Sequence, residues 1–156
     1  MFIQKSVLFR GMEQKVLNEI DKIMVKESGT EGTVLFERGK TANDLYILNE
    51  GSVELTIGDN GHVTYVVKNH GEAFGWSSLV NHHVYTASAV CSSPTELIRI
   101  PSDKLNKIFE SNPASGLIFF RRLAEIISKR VATSYNLLLR SHERTSRYLR
   151  SVSGGI

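Results

Sequence analysis

The spacing of apolar residues divides the chain into an amphipathic helix, a set of short strands and a long helix. In residues 12–24 the apolar positions recur every three or four residues, which predicts a helix that the polar residues 28–30 end. In residues 32–89, runs rich in Val, Ile, Tyr, Phe and Thr alternate with glycine, which is typical of many short strands. The predicted strands are residues 33–36, 45–48, 52–57, 62–67, 85–91 and 97–100. Their regular spacing predicts a jelly-roll β-barrel, also called a double-stranded β-helix.

Helical periodicity returns after Pro101. Ser102 or Asp103 is expected to cap a short helix that ends near Phe109, and Asn112-Pro113 is expected to begin a second helix as N-cap and first residue. Along that second helix a seam with alternating spacings of three and four comprises Leu117, Phe120, Ala124, Ile127, Val131, Ser134 and Leu138. A seam of this length favours a partner helix, so we expect a parallel homodimer through it.

The length of 156 residues fits one domain that is large enough to bury a hydrophobic core. We divide it into an N-terminal helical segment (1–30), a β-barrel (31–101) and C-terminal helices (102–150), which makes the fold mainly β with flanking helices. The single cysteine, Cys91, fits a reducing compartment and a buried thiol. The chain has no long apolar run and no signal-peptide pattern, so we expect a cytoplasmic protein without a membrane segment.

Positive charge is concentrated near the C-terminus. Residues 121–150 carry eight Lys or Arg against two Glu, a net of +6, which leaves −3 for the rest of a chain whose total is +3. A helix with this charge either exposes its basic side to solvent or binds an acidic partner such as nucleic acid.

Residues 71–89 contain the most informative stretch, GEAFGWSSLVNHHVYTASA. The order of residues predicts a strand, a tight loop, one helical turn and another strand. Gly75 lacks a Cβ and allows a backbone N–H to approach a ligand, and the turn that begins at Trp76 directs further N–H groups the same way. We call this segment the 71–89 loop, and we expect it to bind an anion such as a phosphate.

Three enzyme classes are disfavoured by the sequence. Gly39-Lys40-Thr41 matches the last three residues of the phosphate-binding P-loop motif, but Val34 stands where that motif needs its first glycine. The five histidines include no His-x-His pair, so we expect no metal centre. The hydrolase pattern Gly-x-Ser-x-Gly is absent, and the Ser77-Ser78 pair has no evident base. We therefore expect a protein that is not an enzyme and needs no cofactor.

The order of these segments resembles the cyclic nucleotide-binding domain family. The matching residues are Gly32-Thr33-Val34-Leu35-Phe36 with Gly39, Asp44-Leu45-Tyr46-Ile47-Leu48 with Gly51-Ser52-Val53-Glu54, Gly71-Glu72-Ala73-Phe74-Gly75, and Thr86-Ala87-Ser88-Ala89. The resemblance implies a stand-alone effector domain of the catabolite-activator type, with cAMP or cGMP as the ligand class. In that family the glutamate of the phosphate-binding cassette binds the ribose and an arginine binds the cyclic phosphate.

Both cassette side chains differ in this chain. Trp76 stands in place of the glutamate, and Tyr85 stands in place of the arginine before Thr86-Ala87. The resemblance implies a ligand site comprising Phe74, Gly75, Trp76, Ser77, Ser78, Tyr85, Thr86 and Ala87, with Arg130, Ser134 and Tyr135 of the long helix as the base-facing wall. Because the two charged side chains are missing, we expect weak binding of a cyclic nucleotide or a related phosphorylated ligand.

Two alternatives stay open from the sequence. The chain is a ligand-free dimerisation or docking domain if Trp76 and Tyr85 close the pocket. It is the effector half of a transcription regulator if further domains follow, because residues 140–150, RSHERTSRYLR, resemble the segment that leads into a helix-turn-helix. The six residues after Arg150 are too few for that module, so we expect no sequence-specific DNA binding by this chain alone and an unknown downstream protein partner.

Overall fold

The computed structural model describes residues 2–81 and 83–154, which form two compact units, Met1–Phe120 and Arg121–Ile156. A single 3-10 turn, Phe2–Lys5, precedes the first helix. The helices are α1 (Gln14–Ile23), α2 (Ser102–Ser111) and α3 (Pro113–Ser153). The strands are β1 (Val25–Gly29), β2 (Val34–Phe36), β3 (Asp44–Glu50), β4 (Val53–Ile57), β5 (His62–Val67), β6 (Ala73–Phe74), β7 (Ser88–Cys91) and β8 (Thr95–Pro101).

The strands form two four-stranded sheets, in the orders β1-β8-β3-β6 and β2-β7-β4-β5, and neighbouring strands run antiparallel. This arrangement, with helices before and after the strands, confirms the prediction of a mainly β jelly-roll fold with flanking helices. The predicted strands 52–57 and 62–67 correspond to β4 and β5, which form a hairpin whose turn includes Gly58 and Gly61 with positive φ angles of 73° and 63°.

The core lies between the two sheets. Alternate residues of β4 face inward, because Val53 is fully buried and Leu55 packs against the same cluster. The buried members of the cluster come from both sheets and are Tyr46, Leu48, Val53, Val67, Phe74, Ala89 and Leu97. Four partly buried residues pack against them, namely Leu35, Phe36, Leu55 and Tyr65.

Strand β1 was not predicted from the sequence. Its central residues are polar, and it pairs on one side only, with β8, so it lacks the apolar alternation of an inner strand. Ser28 and Gly29, expected to end the first helix, are instead the last two residues of this strand. Gly29 lies so close to Cys91 that a Cβ at position 29 would be 2.9 Å from the Cys91 sulfur.

The N-termini of α2, near Pro101, and of α3, near Pro113, are only partly as predicted. The prediction that Ser102 or Asp103 caps α2 is wrong, because Pro101 occupies the cap position and no side chain caps this helix. The predicted start of α3 at Pro113 is confirmed. The Asn112 carbonyl accepts the first helical bond, from the N–H of Gly116, whereas the Asn112 side chain donates back to the carbonyl of Ile108.

The described part of the unit Arg121–Ile156 is the remainder of α3, followed by Gly154. It exposes a series of large apolar side chains: Val131, Tyr135, Leu137, Leu138, Leu139, Tyr148, Leu149 and Val152. None of the helices in the described ranges combines the length and the apolar composition that a membrane crossing requires.

Candidate functional site

The 71–89 loop has the order of elements that the sequence predicted. Strand β6 ends at Phe74, Gly75 follows with φ 78° and ψ 19°, and Trp76–Leu79 form a 3-10 turn. The chain then reaches β7, which begins at Ser88. The predicted strand start at residue 85 is three residues too early, although Tyr85 already exchanges backbone hydrogen bonds with the turn at Gly39 and Lys40.

Gly75 is required for two reasons. Its positive φ is unfavourable for a residue with a side chain, and its Cα faces the barrel rather than open space. A Cβ at this position would lie 3.1 Å from the Asp44 carbonyl oxygen and 3.1 Å from Cδ2 of Tyr46. The sequence predicted that Gly75 allows a backbone N–H to approach a ligand; the atoms nearest to a Cβ at this position belong to Asp44, Tyr46 and Phe36 of the protein itself.

The two serines of the turn differ. Ser77 is half-buried, whereas Ser78 is buried, and its hydroxyl donates to the Gly75 carbonyl at 2.9 Å. The Ser78 hydroxyl also lies 2.5 Å from the hydroxyl of Ser102, which is equally buried at the start of α2. Ser78 therefore joins the turn to α2, an interaction that the sequence analysis did not anticipate.

Tyr85 is part of the core. Only 5% of the residue is exposed, and its ring stacks on Phe36 with centroids 3.8 Å apart and 12° between the planes. Its hydroxyl donates to the Asp44 carbonyl at 2.9 Å and accepts the Asp44 N–H at 3.3 Å. Burial raises the pKa of the Tyr85 phenol above its ordinary value, although the hydrogen bond from the Asp44 backbone opposes this rise.

The phenyl and phenol rings around Tyr85 form an aromatic cluster, which comprises Phe36, Tyr46, Phe74 and Tyr85. Phe74, one of the predicted site residues, is fully buried and stacks on Tyr46 at 5.3 Å. Burial raises the pKa of Tyr46 far above its ordinary value. The interior beside Gly75 is therefore filled by rings that offer an anion no positive charge.

Arg99 lies next to this cluster but is engaged by carboxylates. Its Nε donates to Glu27 at 2.7 Å, and a second guanidinium nitrogen donates to Asp44 at 3.1 Å. These contacts raise the pKa of Arg99, with Glu27 as the main cause. Two anionic partners already neutralise Arg99, so it is poorly suited to bind an anionic ligand.

The remaining predicted residues fall into two places. Trp76 and Ala87 are half-buried and Thr86 is exposed, all three within the 71–89 loop. Arg130, Ser134 and Tyr135 lie on α3 in the unit Arg121–Ile156. There the Ser134 hydroxyl donates to the Arg130 carbonyl at 3.0 Å, one turn earlier, and Tyr135 is 63% exposed.

Other chemistries find little support in the described residues. Within residues 2–81 and 83–154, no three His, Cys, Asp or Glu side chains are grouped so as to hold a metal ion, and His82 lies outside those residues. Gly39, which was considered as part of a P-loop, instead turns the chain between β2 and β3 with φ 82°. Cys91 is buried, and this burial raises the pKa of its thiol, which fits a structural role.

Comparison with known proteins agrees with this fold. Residues 27–112 match the model of the cyclic nucleotide-binding domain. The chain is 21% identical to the human cyclic nucleotide-gated channel beta-3 over 98% of its own length, and it spans about a fifth of that channel, 20%.

Two crystal structures are similar to this chain in their three-dimensional fold. A Geobacter metallireducens protein assigned as cyclic nucleotide-binding has a TM-score of 0.74 and 28% identity, over 83% of this chain and 95% of that one. The regulatory domain of Toxoplasma gondii PKA with cAMP has a TM-score of 0.62 and 27% identity, over 69% of this chain and 41% of that one.

Proposed function

The chain belongs to the cyclic nucleotide-binding domain family, and on that premise we propose that it is a non-catalytic, ligand-sensing regulatory module that binds cyclic nucleotide weakly. The observation that carries this proposal is the burial of Tyr85 and the hydrogen bonding of its hydroxyl. The residue at the position of the phosphate-binding arginine is buried, and its hydroxyl is bonded to the backbone of Asp44.

The backbone of the 71–89 loop supports binding of some ligand. Gly75 and the 3-10 turn Trp76–Leu79 retain the strand, loop and turn order on which the family resemblance rests. Among the predicted ligand residues of the loop, Thr86 is exposed, and Ser77, Trp76 and Ala87 are half-buried. A phosphorylated ligand would therefore depend on neutral donors.

Weak binding of cyclic nucleotide is expected because this chain lacks the glutamate and the arginine of the family cassette. A hydrogen bond to a charged group contributes about 1.5–3 kcal/mol, so losing both the glutamate and the arginine costs about 3–6 kcal/mol. That loss corresponds to roughly two to four decades in Kd. A site of micromolar affinity would become millimolar or weaker.

We propose that the module acts as a homodimer through α3. The support is the exposure of seam residues such as Val131 and Leu138, which are 42% and 67% accessible in the single chain. Ligand bound at the 71–89 loop would shift the equilibrium between two arrangements of the dimer and so change what it presents to a partner protein.

Intrinsic fluorescence tests the ligand proposal, because Trp76 is the only tryptophan. Titration with cAMP and with cGMP should change its emission and raise the thermal midpoint in the millimolar range. The matched control is 5′-AMP, which carries a phosphate but no cyclic ester. An equal response to 5′-AMP would point to a general phosphate site instead.

A second candidate function is a ligand-free docking or dimerisation domain. The stack of Tyr85 on Phe36 favours it, because these rings fill the interior beside Gly75. In that case neither the emission of Trp76 nor the thermal midpoint responds to any of the three nucleotides. The dimer would persist without them.

A further inference from the structure

The last three turns of α3 carry a row of four arginines. Arg140, Arg144, Arg147 and Arg150 follow one another at spacings of four, three and three residues, and all four are exposed. Such spacings keep side chains on one side of a helix. At 1.5 Å per residue the row is about 15 Å long. We call it the arginine face.

The arginine face lies away from the apolar seam. Leu138, the last residue of that seam, and Leu149, which lies beyond it, each stand two residues from an arginine of the row. At about 100° per residue this places both leucines on the opposite side of the helix. Both leucines are more than 60% exposed, at 67% and 61%. Pairing of α3 along its apolar side would therefore leave the arginines accessible.

The charge of the face is not neutralised within the described chain. Glu143 is the only carboxylate in residues 140–150, which leaves a net charge of +3 there. None of the four arginines has an ion-pair partner in the part of the chain that the structure describes. By contrast, Lys129 earlier on the same helix pairs with Glu125 at 3.3 Å.

The residues of the face indicate the kind of partner. Protein interfaces are held by buried apolar anchors. The large apolar side chains of residues 140–150 are Tyr148 and Leu149, and Leu149 lies on the side of the helix opposite the arginines. The arginine face itself therefore offers few apolar anchors, which also disfavours insertion into a lipid surface. Single-stranded nucleic acid is bound by several stacked aromatic rings, whereas only Tyr148 borders this face. A regular row of guanidinium groups fits regularly spaced phosphates, which it can bind in bidentate fashion.

We propose that the arginine face binds the phosphate backbone of duplex nucleic acid without reading its sequence. The duplex has the charge density to match, about one negative charge per 1.7 Å of axis. This proposal is independent of cyclic nucleotide binding, because all of its residues lie in the unit Arg121–Ile156.

The test is fluorescence anisotropy of the full chain with a labelled DNA duplex of mixed sequence. Four phosphate contacts predict a slope of about −3.6 for log affinity against log salt, hence roughly a hundredfold loss between about 50 and about 200 mM KCl. Replacing the four arginines by glutamine should remove most of the binding at the lower salt concentration and most of the salt dependence. Circular dichroism of this variant checks that α3 still forms.

The matched control makes the same change in net charge elsewhere, on four exposed lysines of α1 and α2: Lys15, Lys22, Lys104 and Lys107, each replaced by glutamine. This control should bind the duplex almost as the unaltered chain does. Equal losses in the two variants would show that only net charge matters, and no binding by the unaltered chain would overturn the proposal. Tighter binding to a single strand or to phosphatidylserine vesicles than to the duplex would assign the face to that partner instead.

Discussion

Tyr85 and Phe36 stack with their ring centroids 3.8 Å apart, and the family resemblance assigns the position of Tyr85 to a phosphate-binding arginine. The stack makes Tyr85 part of the core, since only 5% of the residue is exposed. Its hydroxyl is fixed by the backbone of Asp44, which places the polar end of the side chain inside the fold as well. The proposal of weak ligand binding therefore rests on the burial of Tyr85.

Two substitutions separate the ring of Tyr85 from its hydroxyl. Tyr85→Phe removes only the hydrogen bonds with Asp44 and should lower the free energy of unfolding by about 1 kcal/mol. Tyr85→Ala also removes the stacked ring and should cost about 3–5 kcal/mol. Urea unfolding followed by circular dichroism measures both, and Thr86→Ala at the exposed neighbouring position should change little. Equal effects of Tyr85→Phe and Tyr85→Ala would mean that the ring does not contribute.

Stability should fall at high pH because of the buried phenols. The pKa values of Tyr46 and Tyr85 are raised by burial in the folded state, whereas an unfolded phenol titrates near pH 10. Above about pH 10 the unfolded chain loses these protons while the folded chain retains them, so unfolding becomes easier as the pH rises. The slope is at most about 1.4 kcal/mol per pH unit for each phenol.

The hydroxyl of Tyr85 accounts for part of that slope. In Tyr85→Phe, urea unfolding between about pH 9 and about pH 11 should show a shallower decline than in the unaltered protein, because one phenol no longer titrates. Tyr46→Phe should have a similar effect. An unchanged slope in both variants would contradict the burial of these groups.

Gly75 should tolerate substitution less well than Gly39. Both have positive φ angles, 78° and 82°, so alanine at either position costs about 1–2 kcal/mol. A Cβ at position 75 would also crowd Asp44 and Tyr46, whereas nothing lies within 4 Å of one at position 39. Gly75→Ala should therefore lower the urea midpoint more than Gly39→Ala does. Equal midpoints would show that the packing around Gly75 relaxes at no cost.

The dimer can be tested on the seam of α3. Ile127→Glu combined with Val131→Glu places two charges on the proposed contact and should give monomers in sedimentation velocity. The matched control, Thr133→Glu combined with Asn136→Glu, adds the same charge on exposed positions away from the seam and should leave the dimer intact. A dimer that survives the first pair of changes would contradict the seam.

The sequence predicted the fold well because its signals are local. Alternation in β4, glycines at the β4–β5 hairpin and Asn112-Pro113 before α3 each act within a few residues. Strand β1 was missed because its central residues are polar and show no apolar alternation. It is held by a distant partner, since it pairs with β8 and Glu27 contacts Arg99, 72 residues away along the chain.

The candidate site was predictable in its backbone but not in its side-chain contacts. The family resemblance implies that Tyr85 stands at the arginine position. The hydrogen bonds that hold it inward join residues 41 positions apart, and no local pattern reports them. Ser102 was interpreted as a helix cap for the same reason, because its partner Ser78 lies 24 residues earlier.

Calorimetric titration with cAMP tests the central claim most directly, since it compares the chain with a variant in which both cassette side chains are restored. The unaltered chain should bind with a Kd of about 1 mM or weaker, and Trp76→Glu combined with Tyr85→Arg should bind roughly two to four decades more tightly. Micromolar binding by the unaltered chain, or no gain in a variant that remains folded, would contradict the assignment of weak sensing to Trp76 and Tyr85.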